Sequence, residues 1–353
     1  MNTHVASPSR AAARAASGRS DAHAAYRAPF WLPGGHLQTI VPALAGGAQA
    51  PRYARERWES RDAQGRPDGD FVDVDWIADT DGRPRWISGA PLVVLFHGLE
   101  GSSQSSYARA LMGALAARGW NGCVPHFRGC SGEINRLPRA YHSGDSAEVD
   151  WILKRAATRL PPALYAVGVS LGGNALMKWA GERGGEARRV VRAVASVCSP
   201  LDLAASGKAL GRGLNMFYTR MFLDTLKRKS AAKLARFPRI FDGEQMRRAR
   251  NLHEFDNVVT APLHGFRDTD DYWARAAAKP WLGRIAIPAL VLNSTNDPFV
   301  PAASLPTAHE VSQSVDLEQP PAGGHVGFGR AGLPVLCIDW LPQRLLHFFE
   351  SHP

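Results

Sequence analysis

The sequence predicts an α/β fold, with a mostly parallel central sheet, helices on both of its faces and a helical insertion late in the chain. Three observations carry this expectation. Short continuous apolar runs at 91–96, 164–169 and 289–293 read as strands buried on both faces. They alternate with helix-length stretches, as a parallel sheet with crossover helices requires. Residues 203–281 contain no strand pattern and are rich in helix formers, Arg and Lys.

Bulk properties narrow the class. A chain of 353 residues can bury a large core, and 45% hydrophobic with 21% charged residues is ordinary for a soluble globular protein. The net charge of +10 is spread through Ala/Arg-rich segments without a basic–aromatic module, so nucleic acid is not an expected partner. Four cysteines (Cys123, Cys130, Cys198, Cys337) lie far apart without C-x-x-C spacing. That pattern argues against a zinc site or a disulfide framework, and it fits a reducing, cytoplasmic compartment. No uninterrupted apolar stretch of about 18 residues offers a membrane span. Residues 1–27 are Ala/Ser/Arg-rich with one acid, Asp21, and no apolar core, so they read as a disordered tail, not a secretory signal. The expected organisation is a core at 28–202 and 282–353 with a helical cap inserted at 203–281.

In chain order, residues 28–40 mix aromatics with Pro and Gly and suggest a segment packed across the body, then a short helix. Residues 55–60 and 70–77 alternate polar and apolar positions, as antiparallel strands at a sheet edge do. The buried strand at 91–96 ends in His97-Gly98-Leu99-Glu100-Gly101, with a helix following to Ala117. A second buried strand at 122–127 leads into Arg128-Gly129-Cys130-Ser131-Gly132, and a helix spans 144–159. A strand at 190–198 ends at Ser199-Pro200-Leu201-Asp202. After the insertion come strands at 289–293 and about 314–317, then an amphipathic helix at 339–349.

The chemistry centres on the strand at 164–169. It runs into Gly168-Val169-Ser170-Leu171-Gly172, and a helical stretch follows at once. In that strand–turn–helix context G-x-S-x-G reads as a nucleophile elbow. The tight turn strains the serine backbone, and a Cβ at the flanking glycines would strike a neighbouring element. Ser170 then stands at a helix N-terminus, where free N–H groups favour a developing oxyanion. The plainer alternative is a Gly-rich turn whose serine caps the helix.

An activated serine needs a base in reach and an acid that fixes the base's tautomer, in the order Ser, acid, His for this topology. Asp297 follows the 289–293 strand within Asn296-Asp297-Pro298, and Asp202 is the rival acid. His325, on the Gly323-Gly324-His325 loop after the last strand, is the expected base among 12 histidines. His36, His126 and His142 read as structural or pocket-lining. The oxyanion donors are expected to be the backbone N–H groups of Leu171 and Leu99.

These motifs together resemble the YheT-like branch of the α/β-hydrolases, related to the animal membrane-anchored α/β-hydrolase-domain esterases and lipases. The resemblance runs from about residue 28 to the C-terminus. It is carried by Phe30-Trp31-Leu32-Pro33-Gly34-Gly35-His36-Leu37-Gln38-Thr39, the His97–Gly101 and His126–Gly132 stretches, Gly168-Val169-Ser170-Leu171-Gly172-Gly173-Asn174 and Asn296-Asp297-Pro298. It implies the same triad of Ser170, Asp297 and His325. The polar tail does not match the animal relatives' membrane anchor, so their membrane residence is not carried over.

The expectation is therefore a serine hydrolase of carboxylic esters, with short- or medium-chain acyl or lipid-like small molecules as substrates and neither metal nor organic cofactor. His97, Met216, Phe217, Tyr218 and Tyr272 are candidate pocket residues, although the aromatics could equally form the cap's own core. The cap's basic residues, Lys227 to Arg250, suggest at most weak peripheral contact with an anionic membrane surface. An acyltransferase with the same triad and a non-catalytic ligand-binding homologue are the alternatives. The sequence does not indicate an oligomeric state.

Overall fold

The computed structural model describes residues 25–45, 51–61, 66–331 and 336–353. Eight strands form one sheet in the order β1-β2-β4-β3-β5-β6-β7-β8. They are β1 (Tyr53–Arg61), β2 (Pro67–Ile77), β3 (Leu92–Phe96), β4 (Asn121–Pro125), β5 (Leu164–Val169), β6 (Ala193–Val197), β7 (Ala289–Leu292) and β8 (Val315–Glu318). β1, β2 and β4 pair antiparallel, and every pairing from β4 to β8 is parallel. The parallel strands need crossovers, which the helices supply.

The apolar runs behave as two-faced buried strands. In β3, Leu92, Val94 and Phe96 enter one core cluster with Trp76 and Trp179, while Val93 and Leu95 enter the other with Met112 and Phe349. Successive side chains of a strand point to opposite faces, so one run of five apolar residues serves two layers. The covering helices include α1 (Gly34–Ala45), α2 (Ser106–Arg118), α3 (Ser146–Ala157) and α4 (Leu171–Arg183).

The polar positions of β2 are not the solvated face that alternation suggests. Asp70, Asp73 and Asp75 are buried and paired with Arg128, Arg57 and Arg55 at 2.7–2.8 Å. Residues 126–139 supply donors to two of these carboxylates: Arg128, Asn135 Nδ2 and the Arg136 amide to Asp70, and Ser131 Oγ to Asp73. Of the tail expected at 1–27, residues 1–24 lie outside the described residues. Tyr26 is already core: it packs edge-on against Phe328 and Trp340, and its hydroxyl donates to Gly329 O at 2.7 Å. A short pairing of β9 (Arg330–Ala331) with β10 (Leu336–Cys337) went unforeseen, being too short for periodicity to show.

Between β6 and β7 the described chain is helical: α5 (Leu203–Leu210), α6 (Asn215–Arg236), α7 (Gly243–Arg248), α8 (Leu252–Phe255), α9 (Ala261–Leu263) and α10 (Thr269–Ala276). The C-terminal α11 (Trp340–Glu350) closes the other face of the sheet. No helix among the described residues is long and apolar enough to cross a membrane.

Candidate active site

Ser170 sits between β5 and α4 with φ 52° and ψ −120°, a left-handed backbone that a non-glycine residue adopts only under constraint. Its neighbours impose that constraint. Ser170 N donates to Val197 O at 2.8 Å, fixing the turn against β6. A Cβ on Gly172 would lie 2.5 Å from Phe96 O and 2.6 Å from His97 O, and one on Gly168 would collide with Gly172 and Gly173. The side chain of Ser170 makes no capping hydrogen bond, so the plainer reading of a helix-capping serine fails.

Oγ of Ser170 points instead at His325, 3.0 Å from Nε2, and Nδ1 of His325 lies 2.8 Å from Asp297 Oδ2. The Asp297 side chain is fully buried, and its Oδ1 accepts from Phe299 N at 2.7 Å and Val300 N at 3.3 Å. With that oxygen occupied, Oδ2 is directed at the ring. His325 N donates to Thr39 Oγ1 at 2.8 Å, and the ring packs on Phe299 with centroids 4.3 Å apart. Gln38 also braces both loops, since its Oε1 accepts from Asn296 Nδ2 and Gly323 N. Helix α1 is thus the brace beneath the acid and histidine loops, a role the sequence reading did not assign. Asp202, the rival acid, instead caps α5 by accepting from Ala205 N at 3.0 Å.

The loop after β3 presents amides beside the serine. Gly98 N donates to Tyr107 Oη at 2.9 Å and Glu100 N to Tyr141 Oη at 3.0 Å. Leu99 N, between them, and Leu171 N, the first of α4, have no hydrogen-bond acceptor among the described residues. Both residues line the same cavity as Ser170 and His325. Two unpartnered donors at a helix start and a strand end can hold an anion.

His97 is not a pocket residue. It is fully buried, accepts from Phe127 N through Nε2 at 3.0 Å and turns Nδ1 toward its neighbour's Gly98 O at 2.8 Å. Burial pushes its pKa down to about 3, so the ring is neutral and its tautomer is set by these two bonds. It is a strut for the loop that follows β3.

The cavity above Ser170 measures about 150 Å³ and is walled by the sheet's loops and the β6–β7 helices. Tyr272 lines it as expected. Met216, Phe217 and Tyr218 do not: Phe217 is exposed, while Tyr218 packs on Phe299 and bonds His36 Nδ1 at 3.1 Å. The cavity-facing stripe of α6 starts one turn later, at Phe222, Leu226, Lys229 and Lys233, and Phe241, Phe255 and Val259 complete the apolar wall. The 3.6-residue period marks that stripe, but only tertiary contacts say which stripe faces inward.

Charges in the wall are internally satisfied. Lys229 Nζ lies 2.8 Å from Glu100 Oε2, whose other oxygen accepts from Tyr141 Oη at 2.7 Å. Lys233 donates to Asn135 Oδ1, Leu137 O and Arg139 O, and burial lowers its pKa to about 8. Asn174, on α4, donates to Ser143 O and Ala276 O, both at 2.8 Å, and accepts from Ala278 N at 2.9 Å. These contacts tie the β6–β7 helices to the turn at Ser170 and to the loop that follows β3. Among the described residues, one group has metal-ligand spacing, Cys198, Asp297 and His325, with ligand atoms within 4.8 Å of one another. Its atoms are already engaged: His325 joins Asp297 to Ser170, and Cys198 Sγ accepts from Val326 N at 3.2 Å.

A family model described as the alpha/beta hydrolase fold matches residues 91–330. With that match and the relatives that follow, the chain belongs to the α/β-hydrolase family, in its YheT-like branch. YheT of Escherichia coli (strain K12), named as a candidate esterase, is 38% identical over 327 residues, spanning 90% of each chain. Phospholipase ABHD3 of Mus musculus is 30% identical over 293 residues, covering 81% of this chain and 70% of that protein. Among solved structures, Est1E from Butyrivibrio proteoclasticus matches with a TM-score of 0.52 at 14% identity, covering 85% of this chain and 98% of that one. Mouse alpha/beta hydrolase domain-containing protein 10 matches at 0.51 and 16% identity, covering 84% and 99%. At these identities the solved structures speak to the fold alone.

Proposed function

We propose that the protein is a serine hydrolase that cleaves carboxylic esters through an acyl-enzyme. One observation carries the reading: Ser170 Oγ, His325 and Asp297 form a continuous relay at 3.0 and 2.8 Å beneath two unpartnered amides. In this reading His325 Nε2 takes the Ser170 proton as Oγ adds to the ester carbon. The carbonyl oxygen becomes an oxyanion held by Leu99 N–H and Leu171 N–H. Imidazolium Nε2–H then protonates the departing alkoxide, and the ester C–O bond breaks. Water, deprotonated by His325, adds to the acyl-enzyme, and Ser170 leaves with the returned proton. Asp297 holds the Nδ1–H tautomer and stabilises the imidazolium.

The apolar cavity wall favours an aliphatic acyl group, and the esterase and lipase names among the relatives point to ester or lipid substrates. The helices over the site, 203–281, then serve as its cap. Four free thiols fit a reducing, cytoplasmic setting. The test is a panel of p-nitrophenyl esters from acetyl to lauroyl, with product partition followed in added glycerol. The proposal expects saturable hydrolysis with a chain-length optimum, lost by a factor on the order of 10⁴ in Ser170→Ala. Predominant glycerol ester formation would replace water by an alcohol acceptor, and no turnover of any ester by folded protein would overturn the reading.

A further inference from the structure

Eight large apolar side chains are exposed among the described residues, and all but Leu160 fall on two short segments. Phe30, Trp31, Leu37 and Leu44 stand on the entry segment and α1; Leu214, Phe217 and Met221 stand at the start of α6. Phe30 is 95% exposed, Leu44 83% and Leu214 77%. Single exposed apolar residues need no explanation, but their confinement to two touching elements does.

The two segments meet where the His36 and Tyr218 rings lie parallel, with centroids 5.9 Å apart. They also border the serine site. Tyr218 packs on Phe299 at 4.7 Å, Phe299 packs on His325, and Thr39 of α1 receives the His325 amide.

The charge on these segments is predominantly positive. Neither 25–45 nor 203–223 contains an Asp or Glu, and Arg27, Lys208, Arg212 and Arg220 are exposed there, against the single exposed Asp224 that follows Leu223 on α6. Self-association by two-fold symmetry would bring like charges against like, so a second copy is a poor occupant. We infer that this face docks on an anionic lipid bilayer, its apolar side chains entering the headgroup–acyl boundary and its four cations meeting the headgroups. The surface would deliver the mouth of the site to lipid-dissolved material. Docking itself requires no catalysis, so it stands or falls separately from ester cleavage.

The test is co-sedimentation of the full chain with phosphatidylcholine vesicles, with and without phosphatidylglycerol. The inference expects binding to the anionic vesicles that falls with added salt and is much weaker on phosphatidylcholine alone. Phe217→Ser/Met221→Ser should lower the partition coefficient by about tenfold or more. Arg212→Glu/Arg220→Glu should lower it by a similar factor on anionic vesicles and remove most of the salt dependence. Near-UV circular dichroism establishes that each variant is folded, and none of the four positions touches the serine relay. Wild-type protein that stays in the supernatant overturns the inference, as do folded variants that bind like wild type. Velocity sedimentation showing a wild-type dimer that Phe217→Ser/Met221→Ser splits would also overturn it, by making the face a self-interface.

Discussion

Asp297→Asn isolates the contribution of the buried carboxylate while leaving its shape in place. Oδ1 of Asp297 accepts from the amides of Phe299 and Val300, at 2.7 and 3.3 Å, and Oδ2 faces His325 Nδ1 at 2.8 Å. An asparagine must keep its carbonyl oxygen toward those two amides, because an NH₂ group there would meet only donors. Its NH₂ then faces His325 Nδ1, which has to present a lone pair. The ring proton moves to Nε2, the atom 3.0 Å from Ser170 Oγ. A ring protonated there cannot take the serine proton, and no carboxylate remains to stabilise an imidazolium. The expected loss in kcat is about 10³–10⁴, or about 4–5.5 kcal/mol in barrier, with KM little changed. Steady-state hydrolysis of a p-nitrophenyl ester measures it, with circular dichroism to establish that the variant is folded. Asp202→Asn is the matched control, since an asparagine keeps the acceptor that caps α5 and should leave kcat within about twofold. A folded Asp297→Asn enzyme that keeps more than about a tenth of wild-type kcat, or equal losses from both variants, would refute the tautomer argument.

Other perturbations follow from the same geometry. Gly172→Ala places a Cβ 2.5 Å from Phe96 O and 2.6 Å from His97 O, backbone atoms that cannot swing aside, so urea denaturation should show a loss of about 1–3 kcal/mol. Lys229→Met strands the Glu100 carboxylate, whose side chain is 7% exposed. Lys229 itself is 30% exposed, so the expected loss is about 1–3 kcal/mol rather than that of a fully buried pair, recovered in part by adding Glu100→Gln. Burial raises the Asp256 pKa to about 6, so ionising this group opposes folding. Its stabilising proton is fully held below the unfolded value of 3.8 and is lost as pH rises through about 6. Asp256→Asn removes that dependence, so melting curves should show the variant gaining on wild type between about pH 4 and 7, and parallel pH profiles would contradict this.

Much of the fold was legible because buried parallel strands are continuous apolar runs with helices between them. Residues 91–96, 164–169 and 289–293 each stand within a residue or so of an observed strand. The relay was legible for a different reason. Its residues must follow strand ends in a fixed order, so Ser170, Asp297 and His325 could be placed by topology before any distance was available. What escaped depends on contacts between distant segments. Gln38 and Thr39 brace the acid and histidine loops from more than 250 residues away, and no local pattern marks that. Local reading placed His97 in the pocket, but burial and its bond from Phe127 N make it a strut. Met216, Phe217 and Tyr218 were plausible pocket residues by composition, yet the inward stripe of α6 begins at Phe222. The acids of β2 look solvent-facing by alternation until Arg55, Arg57 and Arg128 pair with them.

The most direct test of the proposed serine chemistry is intact-mass analysis after treatment with a fluorophosphonate probe, on wild type and on Ser170→Ala. The expected result is a single adduct on wild type, at Ser170, and none on the folded variant. Phosphonylation requires an activated hydroxyl, so the pair of masses tests the relay of Ser170, His325 and Asp297 without any knowledge of the natural ester. Unlabelled wild-type protein, or equal labelling of both proteins, would contradict it.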